Sequence, residues 1–265
     1  MKLFRLGLDV LPVLALSMGL GAAAAHADAL GDIKAAGVLK VGVFEDFPPF
    51  SSVGSDMGLK GYDIDVAHAL AETLKVKLEL VGVTGQNRIP YLTEHRVDVL
   101  MSVGKNAERE KVIAFTAAYA PYYIAVIGPH ALAVTSVADL AGKSIAVDRG
   151  TLDDTSVTQA APSADIRRFD NYSGVIQAFL SGQVQLLVVG NDVGADVLAR
   201  RTDIKPEQKL QLLSSPDHLA VNKGEPALVK ALDDEVQHLI ANGDLNKISV
   251  QWLNKPLNTK DLIDP

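Results

Sequence analysis

The sequence predicts an α/β fold arranged in two lobes, on three observations. Short β-rich runs alternate with stretches of helical periodicity, and the alternation restarts after a turn-rich break at "GPHA" (128–131). Past the N-terminal segment, no further run of about 20 apolar residues is present.

The elements follow in order. "MKLFR" is a basic leader, the apolar "VLPVLALSMGLGAAAA" follows, and Ala25-His26-Ala27 forms a small-residue cleavage pattern. Together they read as an export signal cleaved after Ala27, because Pro12 and the glycines interrupt a stretch too short to span a bilayer. Its removal takes away Lys2, Arg5 and Asp9, which leaves 23 basic and 31 acidic residues and a net charge of −8. In the first block, residues 38–44, 77–83, 97–101 and 122–127 read as strands. Between the first two lies "GYDIDVAHALAETL", where Ile64, Ala67, Ala71 and Leu74 recur at helical spacing. In the second block, strands at 143–147, 166–169 and 185–190 are separated by helical stretches at 151–161 and 171–181. A strand at 218–222, an amphipathic helix from Pro226 to about Asn242 and "LNKISVQWLNK" close the chain. Turn-rich breaks at Gly128-Pro129 and Ser214-Ser215-Pro216 place one lobe at 28–127 plus 217–265 and the other at 128–216. If the closing segments return to the first block, the chain crosses between lobes twice, which makes a hinge with a ligand site at the strand ends.

Composition excludes several functions. The formal net charge of −7 over 265 residues speaks against nucleic-acid binding. The absence of cysteine removes disulfides, thiolate metal sites and cysteine nucleophiles. "AGKS" (141–144) partly matches a phosphate loop, but Val137 stands where the first glycine is needed. His68, His95, His130, His218 and His238 show no metal spacing, so neither a metal nor a cofactor is expected. "NYS" (171–173) reads as a helix start.

One charge is oddly placed. After "VDVLM" and Ser102, a helix is predicted with Asn106 as its cap, and Arg109 falls in its first turn. The helix dipole is already positive there, so a fixed cation at that point suggests an anion to be bound. A guanidinium offers a planar fork for a carboxylate. The plain alternative is a surface Arg109 paired with Glu110 or Glu72.

The stretch "GYDIDVAHALAETL" resembles, position by position, the signature of the bacterial extracellular solute-binding proteins of family 3. "LKVGVFEDFPPF", "TGQNRIPYL" and "AEREKVIAFTAAY" are similar to segments of the same family, and the resemblance runs from about Ala35 to "ISVQWL". It implies a type II periplasmic binding protein fold: two α/β lobes joined by a two-crossover hinge. Such a protein closes over a polar amino acid in the periplasm and presents it to an inner-membrane ABC permease; a monomer is expected. By the same resemblance, Arg109 matches the arginine that pairs with the ligand α-carboxylate, and Ser102 and the Gly104 amide match donors to that group. Phe47 matches the aromatic that covers the ligand, with a core phenylalanine as the alternative; Phe50 reads as core. Thr151 matches a donor across the cleft or serves as a helix cap. Arg88 in "QNRIP" resembles the glutamate/aspartate-binding branch, where it meets a side-chain carboxylate, although Asp98 or Glu94 would also neutralise it. One position departs from the family. Where an aspartate usually holds the ligand ammonium, this chain has Gly190, followed by Asn191 and Asp192. Either of these two takes that role, or the ligand lacks an α-amino group; Asp192 as a helix cap is the plain alternative. Two other functions share the fold: a dehydratase of the cyclohexadienyl type, with Glu45, Asp148 or Asp153 as general acid, and a sensory receptor docking on a membrane partner.

Overall fold

The computed structural model describes residues 28–200 and 203–265; the expected signal segment lies outside them. Helix α1 (Ala29–Ala36) starts where the Asp28 carboxylate accepts the Gly31 amide and stops at Gly37, in the left-handed region at φ +69°. Strands β1 (Val38–Val43), β2 (Asp46–Phe47), β3 (Ser51–Val53) and β4 (Leu59–Lys60) precede helix α2 (Tyr62–Leu74). Gly61 opens α2 at φ +141°, and a Cβ there would stand 2.1 Å from the Phe50 carbonyl oxygen, so the tight entry requires glycine. The α2 face carrying Ile64, Ala67, Ala71 and Leu74 is buried, as its spacing predicts, and Asp63 is buried with it.

Next come β5 (Lys77–Gly82), α3 (Arg88–Thr93), β6 (Val99–Gly104), β7 (Ile113–Ala120) and β8 (Tyr123–Pro129). The second block holds β9 (Ser144–Asp148), α4 (Leu152–Ala160), β10 (Asp165–Phe169), α5 (Tyr172–Leu180), β11 (Leu186–Gly190), α6 (Asn191–Arg200) and β12 (Pro206–Ser214). Strand β13 (Asp217–Asn222) and helices α7 (Pro226–Ala241) and α8 (Asp244–Leu253) follow.

Two five-stranded sheets result, ordered β5-β1-β6-β13-β7 and β10-β9-β11-β8-β12. In each, three strands pair in parallel, a fourth (β13 or β8) runs against them, and the fifth pairs antiparallel with that one. A small sheet, β2-β3-β4, stands beside them. Helices α7 and α8 return to the first sheet, with α7 on β7 and α8 on α2. The chain therefore crosses twice, at Pro121–Tyr122 and at Ser215–Pro216, and the Ser215 amide donates to the Tyr122 carbonyl at 3.1 Å to tie the crossings together.

Two expectations shift. The first crossing lies ahead of the Gly128-Pro129 break, because Tyr123–Pro129 pairs with β11 and β12 in the second sheet. A turn signal marks where a strand ends and does not say which sheet the strand joined. The helix expected from Asn106 is a single 3₁₀ turn, Arg109–Lys111, that runs directly into β7. Asn106 does cap it, its Oδ1 accepting the Arg109 amide at 2.8 Å. One apolar core spans both sheets through Phe44, Phe47, Tyr122 and Tyr172, and a smaller one around Leu92, Leu100 and Val103 packs separately.

Candidate functional site

The carboxyl end of β6 carries Ser102 and Gly104 into the seam between the lobes, and the loop after β9 brings Thr151 to meet them. Around these residues lies a tight cavity of about 10 Å³, also lined by Phe47, Arg88, Tyr122, Leu152, Asp153, Tyr172 and Asp217. The lobes are shut across it. Arg109 Nη2 reaches the Gly150 carbonyl at 3.4 Å, the Ser173 amide donates to Asp46 at 2.7 Å, and Gln86 donates to Asp170 at 3.2 Å. Gly85 lets the two backbones approach: a Cβ there would stand 2.4 Å from the Arg149 carbonyl oxygen.

Both arginines are buried. Arg109 is 9% exposed and donates through Nη1 to the Gly104 carbonyl at 2.7 Å, beside the cavity wall. Burial and the nearby Arg88 charge lower its pKa to about 9. Glu110 pairs instead with Lys105, at 3.5 Å. Arg88 is 3% exposed, donates through Nη1 to the Ser102 carbonyl at 2.8 Å and lies 5.1 Å over the Phe44 ring, while its Nε has no partner. Neither suggested neutraliser is engaged with it: Glu94 pairs with Arg96, and Asp98 accepts the Lys40 amide.

Ser102 sits at φ +51°, which costs a non-glycine residue on the order of 1–3 kcal/mol and is held only by its surroundings. Its amide donates to the Tyr119 hydroxyl oxygen at 2.9 Å, its Oγ donates to Asp63 at 2.7 Å, and its carbonyl accepts from Arg88. Asp63 also accepts from Tyr119 Oη at 2.6 Å. Burial raises its pKa to about 6 against the opposing hydrogen bonds and Arg88. The strand end is thus fixed by an acid that sequence reading passed over, although an aspartate on the apolar face of α2 is the signal that marks it.

Phe47 serves as wall and core together, stacked 5.1 Å from Phe50 and 4.4 Å from Tyr172. Thr151 caps α4: its Oγ1 donates to the Asp148 carbonyl at 2.7 Å and accepts the Asp154 amide at 3.3 Å. Asn191 and Asp192 are not brought to the cavity. Asn191 Oδ1 accepts the Tyr123 amide at 3.1 Å, and Asp192 is paired with Lys255 at 2.8 and 3.0 Å.

Gly190 has a steric reason. A Cβ there would fall 2.0 Å from Tyr122 Cε2, so the tyrosine ring fills the space a side chain would need. Tyr122 Oη in turn donates to Asp153 at 3.2 Å, and Tyr172 Oη donates to the same carboxylate at 3.0 Å. Asp153 is 1% exposed; burial raises its pKa to about 6, opposed by the tyrosine hydroxyls and both arginines. Asp217, 2% exposed, has an Oδ2 without partner, and burial with Asp63 nearby holds its pKa well above the carboxylate range. Asp148 stops short of the lining, fully buried with both oxygens unpartnered, and burial and Asp153 raise its pKa to about 8. Glu45 is exposed. Among the described residues, no three potential metal ligands cluster. The cavity therefore offers one buried cation, Arg88, and two buried acids, Asp153 and Asp217, which suits a ligand carrying both signs of charge.

Proteins of known sequence and structure are similar to this chain. The chain is 27% identical over 264 residues to the L-cystine-binding protein TcyJ of Escherichia coli (strain K12), covering 95% of this chain and 97% of that one. A mutant of the arginine-binding protein ArgBP from T. maritima superposes with a TM-score of 0.80 at 26% identity, over 86% of this chain and all of that one. The ancestral amino acid-binding protein AncCDT-1, described as a precursor of cyclohexadienyl dehydratase, superposes with a TM-score of 0.78 at 28% identity, again over 86% of this chain and all of that one. The family model of the bacterial extracellular solute-binding proteins, family 3, matches residues 39–255, and with two lobes closed on a charged cavity the chain belongs to that family.

Proposed function

We propose that the protein captures a small α-amino acid between its lobes in the periplasm and delivers it to an ABC permease. The observation that carries this reading is the meeting of Arg88 with Asp153 and Asp217 around one cavity between the lobes, with Arg109 buried behind its Gly104 wall. On this reading the ligand carboxylate lies toward Arg109, Thr151 and the β6 end at Ser102 and Gly104, Phe47 covers it, and the ammonium lies toward the acids. Asp63, Asp148, Asp153 and Asp217 share the field of Arg88, the residue that suggested a glutamate- or aspartate-type ligand.

Calorimetric titration of residues 28–265 with amino acids and their deaminated counterparts tests the reading. Only acids bearing an amino group are expected to bind. Arg109→Ala removes one partner of a buried charge pair, worth about 2–5 kcal/mol, or roughly 30- to several-thousand-fold in Kd, with the fold retained. Equal binding of deaminated acids, or unchanged affinity in the variant, overturns it.

A second reading has one observation of its own: Asp148, buried and unpartnered beside the cavity, is able to hold a proton at neutral pH as a dehydratase acid must. It ranks behind because Asp148 does not line the cavity and Asp153 is occupied by two tyrosine hydroxyls. Turnover of prephenate or arogenate would establish it.

A further inference from the structure

The lobes also meet where strand β2 faces the start of helix α5. Strand β2 belongs to the first lobe, between β1 and α2 in the chain, and α5 belongs to the second. Two consecutive residues of each take part. The Phe47 ring lies on Tyr172 with centroids 4.4 Å apart, and the Asp46 carboxylate accepts the Ser173 amide at 2.7 Å. That bond is shorter than the Gln86–Asp170 and Arg109–Gly150 bonds across the same seam, at 3.2 and 3.4 Å.

The bond has a local reason. The first amides of a helix have no partner within it. In α5, Asn171 Oδ1 accepts the Gly174 amide at 2.8 Å, and the first turn carries no acid of its own. Asp46 serves the neighbouring amide from the opposite lobe, and its negative charge suits the positive end of this nine-residue helix. Pairing of Asp46 with Ser52 in the β2–β3 register holds the carboxylate in place. Asp46 does not line the cavity, whereas Phe47 and Tyr172, the residues next to the two partners, both do.

We propose that Asp46 is a closure latch: a positioning residue that caps α5 across the seam when the lobes shut, and so seats Tyr172 against Phe47 beside the bound molecule without touching that molecule. The inference rests on the amino-acid-binding reading above and adds to it the residue that sets how long the lobes stay shut. In the open protein, water solvates both the carboxylate and the amide, and the bond contributes nothing. It forms only after a ligand has entered, so its loss falls on departure rather than on arrival. Asp46 is half-buried in the closed seam, where its charge is screened less than on an open surface.

The test uses the common L-amino acids as probes, one at a time, on residues 28–265. The chain has no cysteine, so Ser55→Cys on the exposed turn between β3 and β4 takes a single fluorophore that reports closure in rapid mixing. In Asp46→Ala the dissociation rate should rise about 3- to 30-fold, the range for a charge at a partly buried helix N-terminus, with the association rate within about twofold. Asp46→Asn keeps an acceptor oxygen without the charge and should fall between the two. Ligand-free Tm should stay within about 2 °C in both variants, because the open protein does not make the bond. A dissociation rate unchanged in Asp46→Ala, a loss carried by the association rate, or a ligand-free Tm that falls along with the affinity would each overturn the latch while leaving the amino-acid reading intact. Failure of every L-amino acid to bind the wild type would instead overturn the reading beneath it.

Discussion

Replacing Gly190 with alanine isolates the contact that distinguishes this cavity. The backbone at 190 is not in the left-handed region, so alanine is conformationally acceptable there and would by itself add about 0.4–1 kcal/mol by restricting the unfolded chain. The obstacle is steric. The new methyl group would lie 2.0, 2.4 and 2.6 Å from Tyr122 Cε2, Cζ and Oη, all inside contact distance, and Tyr122 is 7% exposed with Phe47 and Phe50 rings within 6.2 and 6.0 Å. The ring has little room to retreat, so the overpacking cost of about 1–3 kcal/mol applies. For a chain of this length that corresponds to a fall in Tm of roughly 2–12 °C. Thermal unfolding of four proteins measures it: wild type, Gly190→Ala, Tyr122→Ala and the double variant. With the ring removed, the methyl fills space and its cost should vanish, giving a coupling of about 1–3 kcal/mol. A Gly190→Ala protein that melts with the wild type, or strictly additive effects, would refute the claim that Tyr122 occupies the space at 190.

Two further outcomes are expected. Asp63 and Asp153 at about 6, Asp148 at about 8 and Asp217, also raised by burial, all exceed their unfolded value of 3.8, so the folded state binds more protons than the unfolded one across that interval. Ligand-free stability should therefore fall as pH rises from about 4 toward 8, and Asp148→Asn should flatten the upper part of the slope; a Tm that is level or rising from pH 5 to 8 would refute this. Asp192→Asn should leave ligand affinity within about threefold and cost no more than about 1 kcal/mol of stability, since Lys255 engages that carboxylate away from the cavity; a large loss of affinity would return Asp192 to the site.

How far the sequence could be read depends on what kind of signal each feature leaves. Helix α2 was legible because four apolar residues repeat on the face it buries. Phe47 and Arg88 were singled out within segments resembling the family, and Ser102, Gly104 and Thr151 at single matching positions, and the fold brings all five to one cavity because they end strands or begin helices. Arg109 was noticed for the wrong local reason, since its helix is one 3₁₀ turn with a negligible dipole; what places it is the pair of carbonyls at Gly104 and Gly150. The first crossing was misplaced because periodicity reveals a strand and not its partner. Asp217 and Tyr122 were invisible for the same reason: they are nearly a hundred positions apart, and only the β7–β13 and β8–β12 pairings put the two crossings side by side. Asp217, unlike Asp63, sits on no periodic apolar face that would mark it as buried.

The placement of charge explains how such a cavity can report its own occupancy. Arg88 and Arg109 belong to the first lobe, Asp153 and the Gly150 carbonyl to the second, and Asp217 to the hinge itself. Opened, each group is solvated by water and no pairing is required. Closed, all are desolvated together, and Arg88 Nε and Asp217 Oδ2 have no protein partner to replace the lost water. Closure alone is therefore opposed by the cost of those bare groups, while a ligand bearing a carboxylate and ammonium supplies what they lack only when both lobes reach it. Shifting a two-state equilibrium from 1:99 to 99:1 takes about 5.5 kcal/mol of differential binding. Charge-assisted hydrogen bonds contribute about 1.5–3 kcal/mol each, so two to four of them, made only in the closed state, are enough.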